Sequence, residues 1–160
     1  MAPSAVQLPS DFGYVLGAAA FTGAVYLWQS FRVGAARRKY GVKYPKMYAT
    51  GDDQDSNTFN CIQRSHQNSS ETIGPVMVMQ ALLGLYHPIT AASLGVAWAI
   101  GRIAYTIGYS SGDPSRIMYT IGYSSGDPAK RIPGFFVSFL CMVGLLCCGV
   151  IVGVQSVMQS

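Results

Sequence analysis

Within eight residues, the segment Phe59-Asn-Cys-Ile-Gln-Arg-Ser-His-Gln-Asn-Ser-Ser-Glu71 sets out a guanidinium, a carboxamide and a carboxylate. On a helix Arg64, Asn68 and Glu71 fall at i, i+4 and i+7, which is one face. A guanidinium grips a carboxylate bidentately, an amide pairs with an amide, and a carboxylate takes an ammonium. Such a wall suits a polar ligand carrying both charges. Two plainer readings stay open: a structural Arg64–Glu71 pair, or a helix end resting among headgroups. Unpaired charge near hydrocarbon costs at least ~2.5–3.5 kcal/mol per residue, so the stripe is expected to face a bundle interior or a watery cavity. His66 is off the stripe and reads as a surface or neighbour-contact residue.

The elements that must carry this wall show in the charge distribution. Residues 12–31, 72–101 and 132–160 hold no charged side chain, and all 11 Lys and Arg lie between Arg32 and Arg131. A helix crossing a bilayer needs ~20 mostly apolar residues. The pattern predicts an all-α, integral membrane four-helix bundle of antiparallel up-down topology, one domain over 1–160. Its spans are expected at about 11–31, 68–87, 89–110 and 133–157. The start Met-Ala-Pro-Ser has no basic n-region, so the first span reads as retained rather than as a cleaved signal. Arg32, Arg37, Arg38, Lys39, Lys43 and Lys46 crowd one connection, and Arg116, Lys130 and Arg131 another. By the positive-inside rule both connections are cytosolic and both tails lie across the membrane. Residues 32–57 read as a long basic connection, and the second helix is expected to start near Asn57.

Other spans supply complementary groups. Tyr105 and Tyr109 stand one turn apart on the third, with Arg102 a turn earlier, and Arg37-Arg38 sits at the end of the first. Taken singly, the tyrosines read as an interface belt and the arginines as headgroup anchors. Between the third and fourth spans Arg102–Pro114 recurs as Arg116–Pro128 with one residue changed, over the duplicated segment 102–128. A recent insertion, or an error in assembling the coding sequence, explains that near-identity better than function does. Cys61, Cys141, Cys147 and Cys148 have neither zinc spacing nor disulfide partners. They read as small apolar residues, with acylation of Cys147 or Cys148 as the alternative. No phosphate-loop or dinucleotide glycine pattern occurs, and nothing points to nucleic acid.

Phe59–Asn68 with Glu71, together with Ala36-Arg-Arg-Lys-Tyr40, Tyr44-Pro-Lys-Met-Tyr48 and Tyr86-His-Pro88, carries a family signature. Over nearly its whole length the chain resembles the membrane-associated proteins in eicosanoid and glutathione metabolism, the MAPEG family, and within it the microsomal glutathione S-transferase 3 group. The resemblance implies a homotrimer that binds glutathione as co-substrate between neighbouring subunits, without a metal. It maps glutathione binding onto Arg37, Arg64, Asn68, Glu71, Tyr105 and Tyr109, and assistance to the lipid substrate onto Arg38. The thiol-activating cation lands on Arg116, with Lys130 and Arg131 as alternatives from the second copy. The implied activity is transfer of glutathione to lipophilic electrophiles, with peroxidase action on lipid hydroperoxides. The implied place is the endoplasmic reticulum membrane, with the site toward the cytosol, or the outer mitochondrial membrane. The rival is a non-catalytic lipid-binding scaffold resembling the 5-lipoxygenase-activating protein of the same family.

Overall fold

A computed structural model describes residues 8–109 and 133–158 of the chain. They form four helices: α1 (Phe12–Tyr40), α2 (Gln54–Gly84), α3 (Pro88–Tyr109) and α4 (Pro133–Met158). Consecutive helices pack side by side, α1 against α2 and α3, and α4 against α3 and α2. At 29 residues α1 is about 43 Å long, as long as a bilayer with its headgroups. It runs nine residues past the expected first span, because nothing interrupts it before Gly41, whose left-handed φ of 68° ends the helix. The second helix likewise begins earlier than expected, at Gln54. The connection is therefore only residues 41–53, and Arg32, Arg37, Arg38 and Lys39 are helical.

The early start of α2 follows from its cap. One Asp53 carboxylate oxygen accepts from the Ser56 backbone N–H (2.9 Å) and the other from the Ser56 hydroxyl (2.7 Å). These bonds, the backbone one first, hold the Asp53 carboxyl below its ordinary pKa. A depressed carboxylate stabilises the fold above its unfolded pKa, and that contribution is lost as pH falls through the folded value. Fraying of the first turn of α2 is thus expected below about pH 4. Amide exchange at Ser56 should accelerate there in the wild type and show no such step in Asp53→Asn.

Two apolar clusters make the core. The larger joins Val15, Val25, Val76, Leu83, Ala91, Trp98, Ala99, Cys141 and Leu145, and the smaller joins Val33, Ala36, Phe59 and Ile62. Buried polar residues accompany them, among them Gln29, whose amide donates to the Thr106 hydroxyl at 2.6 Å. Pro75 lies inside α2 and lacks the N–H that would bond the Glu71 carbonyl. Helices α3 and α4 meet main chain to main chain: a Cβ on Gly134 would lie 2.7 Å from the Tyr105 nitrogen and 2.9 Å from the Gly101 oxygen. Among the described residues one helix, Gly134–Met158 with mean hydropathy 2.7, is long and apolar enough to cross a membrane by composition alone. α2 falls short because its first half is polar, and α3 is interrupted by Arg102.

Candidate functional site

The polar half of α2 and the last turns of α3 converge on Arg102. This arginine is 2% exposed, a costly position for a cation unless its donors are used. Its Nε donates to the Ser69 hydroxyl (3.0 Å) and its Nη2 to Asn68 Oδ1 (2.6 Å). The guanidinium lies 4.8 Å from the Tyr105 ring centre and 5.6 Å from that of Trp98. Because Arg102 takes the oxygen of Asn68, the Asn68 NH2 is the group left to donate to a ligand. Tyr105 and Tyr109 stack at 5.4 Å, nearly parallel.

Arg64 and Glu71 flank Asn68 on α2, and both are exposed. The stripe expected to face a bundle interior or a watery cavity divides within the protomer: Asn68 turns in to Arg102, while the two charges stand exposed on the outer side. The reason is depth. Residues 54–71 precede the uncharged run that starts at residue 72, so water reaches them and no interior partner is required. Tyr48, and after it Glu71 and Tyr109, hold Arg64 above its ordinary pKa. Arg64, Glu71 and Tyr109 thus belong to one electrostatic cluster. Beside it, Asn68, Thr72, Trp98 and Arg102 share a niche of about 50 Å³ with Phe135, Phe139 and Met142 of α4. Polar donors and an apolar wall meet there.

The structure does not bring Arg37 to this cluster within the protomer. Its Nη1 donates to the carbonyls of Lys46 (2.7 Å) and Val42 (3.4 Å) and its Nη2 to that of Met47 (3.5 Å). Its guanidinium also lies 4.4 Å from the Tyr44 ring centre, so it pins the 41–53 connection. Arg38 is exposed at the end of α1. Arg116, Lys130 and Arg131 lie outside the described residues. His66 is a neighbour-contact residue: it bonds the Ser30 hydroxyl at 2.9 Å and stacks on Tyr26 at 4.9 Å. Sequence reasoning noted Arg102 only as the residue a turn before Tyr105, and passed over Ser69, which accepts from Arg102. A signal for Arg102 was present, since a cation following thirty uncharged residues marks a functional position by default.

The sequence profile of the MAPEG family matches residues 15–116 and 114–151. The match thus breaks inside the duplicated segment. A probable microsomal glutathione S-transferase of Dictyostelium discoideum is 30% identical over 98 residues, covering 59% of this chain and 62% of that protein. An uncharacterized protein of Synechocystis sp. is 37% identical over 86 residues, covering 53% and 58%. The chain spans about three-fifths of the length of these curated relatives. With the profile accounting for most of the chain, and four helices without a strand among the described residues, the protein belongs to the MAPEG family and has its membrane four-helix bundle fold.

Proposed function

We propose that the chain is a membrane glutathione transferase with peroxidase activity, nearest to the microsomal glutathione S-transferase 3 group. The observation that carries this reading is the buried Arg102 holding Asn68 between the exposed charges of Arg64 and Glu71, beside the stacked Tyr105 and Tyr109. Arg64 takes a glutathione carboxylate, Glu71 the ammonium, and Asn68 donates to a peptide carbonyl. A homotrimer would complete the site, a neighbour's α1 end bringing Arg37 to the tripeptide and Arg38 to the lipophilic substrate. Arg116, or Lys130 or Arg131, would stand by the thiol. A free thiol with pKa near ~8.5 is the weak form of the nucleophile, and an adjacent cation enlarges its thiolate fraction at neutral pH. The thiolate then attacks an epoxide-like electrophile or reduces a lipid hydroperoxide. The apolar partner enters from the bilayer, along a wall such as Phe135, Phe139 and Met142. The endoplasmic reticulum membrane, site toward the cytosol, fits the basic connections; the outer mitochondrial membrane is the alternative.

Arg64→Ala is expected to weaken glutathione binding at least a hundredfold, since it removes the carboxylate's bidentate partner and leaves Glu71 without its neighbouring cation. Isothermal titration of detergent-purified protein measures this, and unchanged affinity would remove Arg64 from the site. One observation favours a second reading, the lipid-binding scaffold: the family pattern breaks at residues 114–116, next to the candidate activator Arg116. Thiolate absorbance near the ultraviolet edge on adding glutathione separates the two. An enzyme develops it, and a scaffold does not.

A further inference from the structure

Pro75 stands inside α2 and has no N–H to give, so the Glu71 carbonyl one turn earlier is left without its main-chain donor, and the proline ring pushes it aside. A freed acceptor of this kind needs another partner where water is scarce, and the uncharged run begins at the very next residue, Thr72. The hydroxyls of this stretch do not supply one, for each is spent elsewhere. Ser65 donates to the Ile62 carbonyl, Ser69 to that of Ser65, Ser70 to that of His66, and Thr72 to those of Asn68 and Ser69. The open side is the ligand side. Residues 64, 68, 71 and 75 follow at i, i+4, i+7 and i+11, one face of the helix, and Arg64, Glu71 and Pro75 are exposed on it. Beside them Gly74 is exposed too, and a Cβ built there would meet nothing within 4 Å.

We propose that the main-chain carbonyl of Glu71, released by Pro75, is a second acceptor for the ammonium of the tripeptide, beside the carboxylate of the same residue. The assignment rests on the functional reading above and adds to it a backbone group, with Pro75 as its positioning residue. An ammonium carries three N–H donors, and a single carboxylate leaves some of them to be met by other groups. The Glu71 side chain gives up rotamer freedom when it binds, whereas a carbonyl fixed in the helix has none to lose. A carboxylate alone attracts any cation; with a fixed carbonyl beside it, the turn suits a primary ammonium that has several N–H donors to share. A proline at this place also costs helix stability relative to alanine, a cost that a role in binding accounts for.

The test compares wild type, Pro75→Ala and Pro75→Gly in detergent. Each is titrated with glutathione and, by competition, with glutaryl-cysteinylglycine, which is glutathione without its amino group. Both substitutions put an N–H back at position 75 to recapture the Glu71 carbonyl. Pro75→Ala is expected to raise the melting temperature, since alanine suits a helix interior and proline does not. It should nevertheless raise the glutathione Kd and KM about tenfold, the loss of one hydrogen bond to a charged group, with kcat changed less than about twofold. Pro75→Gly should weaken glutathione binding alike, with a smaller gain in melting temperature. The analogue has no ammonium, so its affinity should be about the same in all three proteins. Unchanged glutathione affinity in both variants would overturn the assignment and leave the site standing. An equal loss for glutathione and the analogue would overturn it too, because the proline would then act through the course of α2 alone. A wild type that takes up no glutathione overturns both.

Discussion

Arg102→Leu is expected to abolish measurable glutathione binding and to lower the stability of the bundle by about 1–3 kcal/mol. The substitution takes the donor from the buried Ser69 Oγ, which keeps its bond to the Ser65 carbonyl, and from the half-buried Asn68 Oδ1; a buried group left without its partner costs about 1–3 kcal/mol, and a half-buried one less. Removing a buried charge returns part of that cost, which keeps the figure at the lower end of the sum. The effect on binding follows from Asn68. Without the guanidinium its amide is free to turn over, and its NH2 no longer faces a ligand by default. Arg102→Lys keeps the charge but presents a single compact ammonium where two separated donors are needed, so it should rescue stability in part and binding hardly at all. Thermal melts in detergent and glutathione titration of the three proteins decide the matter. An Arg102→Leu protein that melts and binds like wild type would leave the buried cation without a role.

Gly134→Ala is the second large effect, expected to cost about 2–3 kcal/mol. The new methyl would meet the Tyr105 nitrogen at 2.7 Å, the Gly101 oxygen at 2.9 Å and the Tyr105 Cα at 3.1 Å. All three belong to the main chain of α3 and cannot rotate away, so α4 has to withdraw from α3 beside the tyrosine of the site. Gly101→Ala should be milder, because its closest obstacle is the Ser138 hydroxyl at 2.5 Å, a rotatable group. Gly144→Ala serves as the control. Its methyl would make ordinary contact with Leu94 at 3.5 Å, and alanine is the better helix former by about 1 kcal/mol. The order of melting temperatures, Gly134→Ala lowest and Gly144→Ala at or above wild type, is the measurement. Any other order would mean that the α3–α4 approach is looser than the geometry indicates.

The same two residues show what a sequence can and cannot disclose here. The spacing of Arg64, Asn68 and Glu71 was legible because helical periodicity alone puts them on one face. Helix identity was legible because long uncharged runs leave little choice of backbone in lipid. Arg102 was harder. Beside Tyr105 and Tyr109 it resembles one more member of an interface belt, and its burial depends on Gly101 and Gly134 letting two helices approach across more than thirty residues of chain. The contact of Tyr48 with Gln67 was harder still, since Tyr48 lies in a turn-rich segment and reaches α2 only after Arg37 and Asn60 have folded that segment back. The helix ends were misjudged for a local reason: the run Gly51-Asp-Asp-Gln-Asp-Ser reads as a solvated tip, yet its second aspartate is the cap that starts α2.

Helix α1 spends a narrow seam on packing: Val15, Ala18, Thr22, Val25, Gln29, Val33 and Ala36 recur every three or four residues and are all buried. Its other side leaves Tyr14, Leu16, Leu27 and Phe31 more than half exposed. Among the described residues no neighbour within the protomer registers the outline of a side chain on that side, so wherever it meets lipid rather than another subunit selection weighs oiliness alone. Over evolutionary time the lipid-facing positions of α1 should drift among greasy residues, while the seam holds its small and branched residues in register, so descendants of this chain would keep the rhythm of the helix long after losing its spelling.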